Sequence, residues 1–250
     1  MEKRISQIVA EQIATLNRSD LFRQPIVAFS SAHDPAYQEL KTVIGPWHQT
    51  PTEILPEAQS VISYFVPFTK PVKLQPRQEE NSSLLWSESY LIINPFFAKI
   101  NDALSAFLHE SGYSSSSIPA THNFDPAVIQ CNWSHRSAAA ISEIGNFGIN
   151  RMLITEKGSA GRFCTLITSA KLVPSQPKKL SKGCLYREKG SCGKCLEVCP
   201  VNALSDNGFD KFTCQAETQR NKKLNKGIDI LGEADVCGKC ISVCPVGYID

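Results

Sequence analysis

Cys192-Gly-Lys-Cys195-Leu-Glu-Val-Cys199-Pro200 and Cys237-Gly-Lys-Cys240-Ile-Ser-Val-Cys244-Pro245 repeat one pattern near the end of the chain. One further cysteine precedes each run, Cys184 before the first and Cys214 before the second. C-x₂-C wraps a tight turn, presenting two thiolates and several backbone N–H groups to one inorganic centre. Proline after the last cysteine cannot donate a ladder or helix hydrogen bond, and it pins the chain where it leaves that centre. Eight thiols in two sets of four are the ligand requirement of two [4Fe-4S] cubanes, whose work is electron transfer.

In bacterial runs of this kind the fourth cysteine ligates the other cluster. Applied here, that crossing assigns Cys184, Cys192, Cys195 and Cys244 to one cubane. It assigns Cys214, Cys237, Cys240 and Cys199 to the second. Cys184 and Cys214 stand farther from their partners than in the compact ferredoxin run, but loop closure costs grow only logarithmically with length. The competing centre is zinc, since two C-x₂-C pairs also build a ribbon. A ribbon would leave Cys184, Cys199, Cys214 and Cys244 unused and would not explain either Cys-Pro.

The chain has 250 residues, so roughly the first 170 lie outside the cysteine-rich segment and form a domain able to bind something. Division into 1–176 and 177–250 is expected, with Pro174 and Pro177 in the linker. Twenty-six basic and 24 acidic residues leave a net charge of +2, which implies neither a polyanion nor an acidic surface as partner. Lys178, Lys179 and Lys182, and again Lys222, Lys223 and Lys226, read as solvated faces of the cluster domain. No apolar stretch reads as membrane-spanning. Met1-Glu-Lys-Arg-Ile5 leads into an amphipathic run with no apolar export segment, so a reducing cytoplasm is expected, where such spacing means metal rather than disulfide.

Along the first domain, Ile5, Ile8, Val9, Ile13 and Leu16 recur at helical spacing and predict a helix over 2–17. Ile26–Phe29 and Val61–Val66 predict strands. Four prolines, Pro35, Pro46, Pro51 and Pro56, predict mostly loop over 33–60, and 71–83 also reads as irregular. Trp86 to Ser111 has helical phase, with Pro95 starting or kinking the helix. Ile118-Pro119-Ala120 reads as extended. Trp133 to Gly145 predicts an alanine-rich helix with Ser134 as N-cap and Gly145 as the stop. Met152–Thr155 and Phe163–Thr168 predict a hairpin joined through Glu156–Gly161. The element order indicates α+β rather than a βαβ array.

Several stretches resemble the epoxyqueuosine reductase and reductive dehalogenase superfamily. Leu55-Pro56-Glu-Ala-Gln-Ser-Val61-Ile-Ser-Tyr-Phe-Val-Pro67 is similar to its first strand entry. Ser134-His135-Arg136-Ser-Ala-Ala139 through Ile144-Gly-Asn-Phe-Gly148-Ile-Asn150-Arg-Met-Leu-Ile-Thr155 is similar to a longer block, and Gly158-Ser-Ala-Gly161-Arg162-Phe-Cys-Thr-Leu-Ile-Thr168 to the strand that follows. The resemblance runs from about Leu55 to Pro245. It implies a nitroreductase-like α/β domain that binds cobalamin, followed by a bacterial ferredoxin-like 2[4Fe-4S] domain. It further implies one-electron delivery to cobalt from an external ferredoxin or flavodoxin, and reductive cleavage of a carbon–oxygen or carbon–halogen bond in a small molecule. Two features depart from the family: Gln130-Cys131-Asn132-Trp133 holds no carboxylate where the tRNA-acting enzyme keeps its proton donor, and the chain ends five residues after Pro245. Action on tRNA is therefore not expected.

Candidate site residues follow from the same resemblance. His135 and Tyr90 are the proton-donor candidates. Ser134, His135, Arg136, Gly158, Gly161 and Arg162 are candidates for holding the cofactor, the glycines through backbone amides. Each also has a plain structural reading: a helix start for 134–136, a turn for 158–161, an ordinary helix position for Tyr90. His122 reads as a loop residue, and Cys131 and Cys164 as buried thiols outside the clusters. Two other functions remain open: a non-catalytic electron carrier or cobalamin-handling protein, and a cluster protein whose first domain binds a flavin.

Overall fold

A computed structural model describes residues 1–77, 83–119, 124–177, 183–224 and 234–250. Helix α1 (Glu2–Thr15) buries Ile5, Ile8, Val9 and Ile13, as its sequence period requires. Strands β1 (Ile26–Ser31), β2 (Ser60–Pro67), β3 (Ser115–Ser117) and β6 (Gly161–Thr168) form one sheet in the order β1-β2-β6-β3. Every pairing is antiparallel, with Ile26 opposite Phe65, Tyr64 opposite Cys164 and Ser117 opposite Leu166. The α+β reading holds.

All eight residues of β2 are buried, because both faces of this central strand are covered. Ile62, Tyr64 and Val66 face the core shared with α1 and with α5 (Leu84–Glu110). Phe65 faces the other way, stacked on Phe163 at 4.3 Å, beneath α6 (His135–Ile141). The result is a helix–sheet–helix layering in which α5 and α6 approach β6 from opposite sides. The Tyr64 hydroxyl donates to Asn101 Oδ1 at 2.9 Å, and Asn101 Nδ2 donates in turn to Thr165 O, tying α5 to β6.

Helices occupy much of the segment expected to be loop: α2 (Pro35–Val43), α3 (Pro51–Ile54) and α4 (Lys70–Leu74), the last followed by a 3₁₀ turn at Gln75–Arg77. The prolines open these helices instead of preventing them. Each lies in the first turn, where a missing N–H costs nothing, and the Asp34 and Thr50 side chains cap α2 and α3. Thr50 and Glu53 complete a reciprocal capping box. Helix α5 runs unbroken through Pro95, forgoing the hydrogen bond to Leu91. It is consequently long and apolar enough, by length and composition, to cross a membrane, contrary to the sequence expectation. Its Ile93, Phe97, Ile100, Leu104 and Leu108 are buried in the core, as in a central packing helix.

Two further expectations are corrected. Helix α6 ends at Ile141 with Ser142 as its C-cap, and Glu143, at φ +63°, takes the left-handed position assigned to Gly145. Gly145 opens β4 (Gly145–Phe147), where a Cβ would stand 2.1 Å from Ile154 O. β5 (Leu153–Thr155) pairs with β4, not with β6, so no hairpin joins β5 to β6. The turn between them is held by the end of the chain, whose Gly247 carbonyl accepts from the N–H groups of Ser159 and Ala160. Ala234, Val236 and Ile241 belong to the core built on α1 and α5, so the last segment packs into the first domain.

Candidate redox site

The two cysteine runs fold alike. The second cysteine of each C-Gly-Lys-C lies in a one-turn helix, Cys195 in α8 (Lys194–Glu197) and Cys240 in α10 (Lys239–Ser242), and the two helices pack together. Gly238 takes φ +78°, and a Cβ there would stand 2.7 Å from the Trp86 ring, so only glycine serves at that turn. Cys184 caps α7 (Leu185–Lys189), and Cys214 lies in α9 (Lys211–Leu224).

Electrostatic neighbourhoods sort the eight thiols. Burial, then Cys244, Cys184 and Cys192, push the Cys195 thiol up to about 11. Burial, then Cys237 and Cys199, push Cys214 up to about 11. Cys240 is driven above the usual thiol range by burial, then by Cys237, Cys214, Cys195 and Cys199. The groups are therefore Cys184, Cys192, Cys195, Cys244 and Cys214, Cys237, Cys240, Cys199, each run lending its last cysteine to the other. The Cys195 contribution at Cys240 makes the two groups neighbours. The first four line a cleft of about 360 Å³ with Ile149, Asn150 and Val246. Among the described residues no three thiol, imidazole or carboxyl groups converge as they would around one metal ion. A cubane is several atoms across and takes its thiolates from wider spacing, so the donor chemistry fits a cluster in each group.

Cys214 and Cys240 face Arg136, whose charge is disfavoured by burial and by Arg162, and favoured by Cys131, Cys214 and Cys240. Arg136 is nevertheless an exposed residue and Arg162 a half-buried one. Surrounding protein atoms desolvate both guanidinium charges even so, which disfavours the charged form of each. Arg136 donates to Arg151 O at 3.1 Å, and Arg162 Nε to Asn94 Oδ1 at 3.1 Å. Among the described residues neither forms an ion pair with a carboxylate. Two such cations beside the second thiol group fit a ligand with amide or phosphate arms, as a corrinoid has.

Tyr90 lies in the same region. The Arg162 guanidinium stands 4.7 Å from its ring centroid, and its hydroxyl donates to Asp235 Oδ1 at 3.0 Å. Gln219 Nε2 holds the other Asp235 oxygen at 3.3 Å. Burial raises the Tyr90 phenol above its ordinary value and Asp235 adds to this, while Arg162 opposes it. The group keeps its proton at neutral pH. Sequence reasoning missed Asp235 because its contact with Tyr90 spans 145 residues.

The other candidates sit elsewhere. His135 Nδ1 is 2.8 Å from Thr165 Oγ1 and Nε2 is 3.1 Å from Pro119 O. Trp133 Nε1 donates to the same Thr165 hydroxyl at 2.9 Å. His135 thereby bridges the Thr165 hydroxyl on β6 and the Pro119 carbonyl, a strut at the start of α6. Ser134 caps α6 by accepting from Ser137 N–H, and its own N–H donates to buried His48 Nε2 at 3.2 Å. Gly158 and Gly161 are buried against the protein itself: a Cβ would meet Gly247 O at 2.5 Å and Val66 O at 2.3 Å respectively. The absent side chains are thus required by backbone contact, and the Gly158 N–H donates to Thr155 O at 3.0 Å. Cys164 is buried beside Asn101 and Cys131 is half-buried near Arg136. His122, Lys178, Lys179, Lys182 and Lys226 lie outside the described residues.

Comparisons with known proteins bear on the fold and on the cysteine-rich segment. The family model of a 4Fe-4S double cluster binding domain matches residues 190–247. No curated protein matches the chain in sequence. Epoxyqueuosine reductase from Bacillus subtilis superposes with a TM-score of 0.57 at 19% identity, covering 97% of this chain and 66% of its own. Epoxyqueuosine reductase solved with a tRNA-Tyr epoxyqueuosine-modified stem loop gives a TM-score of 0.55 at 21% identity, with 97% and 66% covered. The catabolic reductive dehalogenase NpRdhA gives 0.56 at 17% identity, with 90% and 30% covered. This chain thus spans just under two thirds of the length of the first two. Because the tRNA-bound structure shares the fold over nearly the whole of this chain, the expectation against tRNA has no support and is withdrawn. The chain has the fold common to epoxyqueuosine reductases and reductive dehalogenases, carrying a 4Fe-4S double cluster binding domain over residues 190–247.

Proposed function

We propose that this protein is a corrinoid-dependent iron–sulfur reductase that cleaves a carbon–oxygen or carbon–halogen bond. The observation that carries the reading is the crossed grouping of eight thiols, with the second group beside Arg136, whose charge also feels Arg162, the guanidinium that stacks on Tyr90. One structure sharing the fold is described as a dehalogenase with B12-dependent chemistry, which supports the cofactor class. A bound corrinoid supplies a cobalt centre able to pass electrons to the bond being broken.

The chain's own residues supply the rest. Cys184, Cys192, Cys195 and Cys244 hold the outer cubane, at the cleft where an external ferredoxin or flavodoxin delivers electrons. Cys214, Cys237, Cys240 and Cys199 hold the inner one, beside Arg136. Arg136 and Arg162 bind the polar periphery of the cofactor. Tyr90 gives up the proton, oriented by Asp235 and by the guanidinium over its ring. Removing a halogen consumes two electrons and one proton and releases halide. Removing an epoxide oxygen as water consumes two electrons and two protons.

The test is anaerobic titration of hydroxocobalamin into protein reconstituted with iron and sulfide, followed by its corrin bands. Saturable binding that weakens in Arg136→Met is expected. Absence of binding overturns the proposal, and flavin bands in purified material replace it with the flavin reading. Free organohalides, epoxides and an epoxide-bearing tRNA stem loop are then compared as oxidants of the reduced protein. A corrinoid-binding protein that none of them oxidises is a cofactor-handling or electron-transfer protein instead.

A further inference from the structure

Lys73 is the only buried lysine among the described residues, with 5% of its surface exposed. It lies in α4, far in sequence from every cysteine, yet its stem fills the turn that follows Cys244-Pro245. The Lys73 Cε stands 2.9 Å from where a Cβ on Gly247 would be, so the missing side chain there makes its room. The same position lies 3.1 Å from the Cys244 carbonyl oxygen, so the lysine stem and the backbone of Cys244 crowd one point. Arg77, on the same segment, donates to Ser242 O, and Lys239 Nζ donates to Pro76 O at 3.2 Å, clamping this segment onto α10.

No carboxylate pairs with Lys73 among the described residues, and its charged neighbours Arg77 and Lys70 repel it. A buried ammonium left this way is strongly unfavourable unless an anion is supplied. Four thiolates around a cubane are such an anion. We infer that Lys73 is the built-in counter-charge of the cluster held by Cys184, Cys192, Cys195 and Cys244, and that it raises that cluster's reduction potential. This rests on the cluster reading above. Reduction adds one negative charge to the cluster, so a fixed positive charge beside it favours the reduced form, and net charge is one of the levers on such potentials.

The experiment is an anaerobic redox titration of reconstituted wild type, Lys73→Met and Lys73→Arg, each cluster followed by its reduced-state paramagnetic signal and each sample assayed for iron and sulfide. The inference expects Lys73→Met to lower one midpoint by at least tenfold in the reduced-to-oxidised ratio, about 59 mV for one electron. The other midpoint stays put, and Lys73→Arg stays near wild type. If Lys73→Met loses one cubane while Lys73→Arg keeps both, the requirement for charge is read in the iron content, and the inference stands. Unchanged potentials in Lys73→Met, or loss of a cubane in both variants, overturn it. Wild type without two cubanes overturns the cluster reading itself, a result distinct from either.

Discussion

Thr165→Val isolates the strut that fixes the start of α6. Valine keeps the shape and strand preference of threonine and deletes only the hydroxyl. That hydroxyl is fully buried, accepts from Trp133 Nε1 at 2.9 Å and shares a hydrogen bond with His135 Nδ1 at 2.8 Å. Trp133 is 4% exposed, so its indole N–H is left without a partner, at about 1–3 kcal/mol. The lost bond to His135 adds about 0.5–1.5 kcal/mol. The total is about 1.5–4.5 kcal/mol, or roughly 10-fold to 2,000-fold in the unfolding equilibrium at about 1.4 kcal/mol per tenfold. Thr165→Ser keeps both bonds and loses one methyl, for about 1 kcal/mol. The assay is anaerobic urea unfolding at matched iron content, read by the fall in midpoint at unchanged slope. Arg136 rides on the same helix start, so corrinoid binding should weaken in Thr165→Val and persist in Thr165→Ser. Equal stability of the valine and serine variants refutes the argument, and with it the assignment of His135 as a strut.

Further outcomes follow from the site. Cys244→Ala should remove the cubane of Cys184, Cys192 and Cys195 and spare the other, while Cys199→Ala should do the reverse. Each variant retains half the iron and one paramagnetic signal; loss of the cluster in the mutated run's own C-x₂-C would contradict the crossing. Tyr90→Phe should slow substrate-driven oxidation by about 10²–10⁴-fold, the range for one general acid, with iron content unchanged. A rate within threefold of wild type removes Tyr90 from the mechanism. Iron chelation should open 183–224 and 234–250 to proteolysis while α1, β2 and α5 stay protected. Helices α7, α8 and α10 have five, four and four residues, too short to persist without the metal to which they are tied. Equal protection with and without iron would show that side-chain packing alone holds these segments.

Local chemistry was legible in the sequence where it repeats or caps. Cysteine spacing shows two runs of one pattern, and Ser134 before an alanine-rich run yields the start of α6. Proline misled twice, because Pro35 and Pro51 behave as first-turn residues once Asp34 and Thr50 cap them, and because Pro95 sits in a helix long enough to bear one lost bond. Strand partners were not legible: Leu153–Thr155 and Gly161–Thr168 adjoin in sequence, but their registers are set by β4 and by β2, and no local signal carries that. Asp235 and Lys73 were invisible for the same reason. Their meaning comes from Tyr90 and Cys244, each well over a hundred residues away.

The central claim is that this chain holds two iron–sulfur cubanes side by side, and anaerobic elemental analysis tests it most directly. The account predicts iron and acid-labile sulfide in equal amounts, two cubanes per chain, with negligible zinc. Tightly bound zinc, or iron without sulfide, would contradict it.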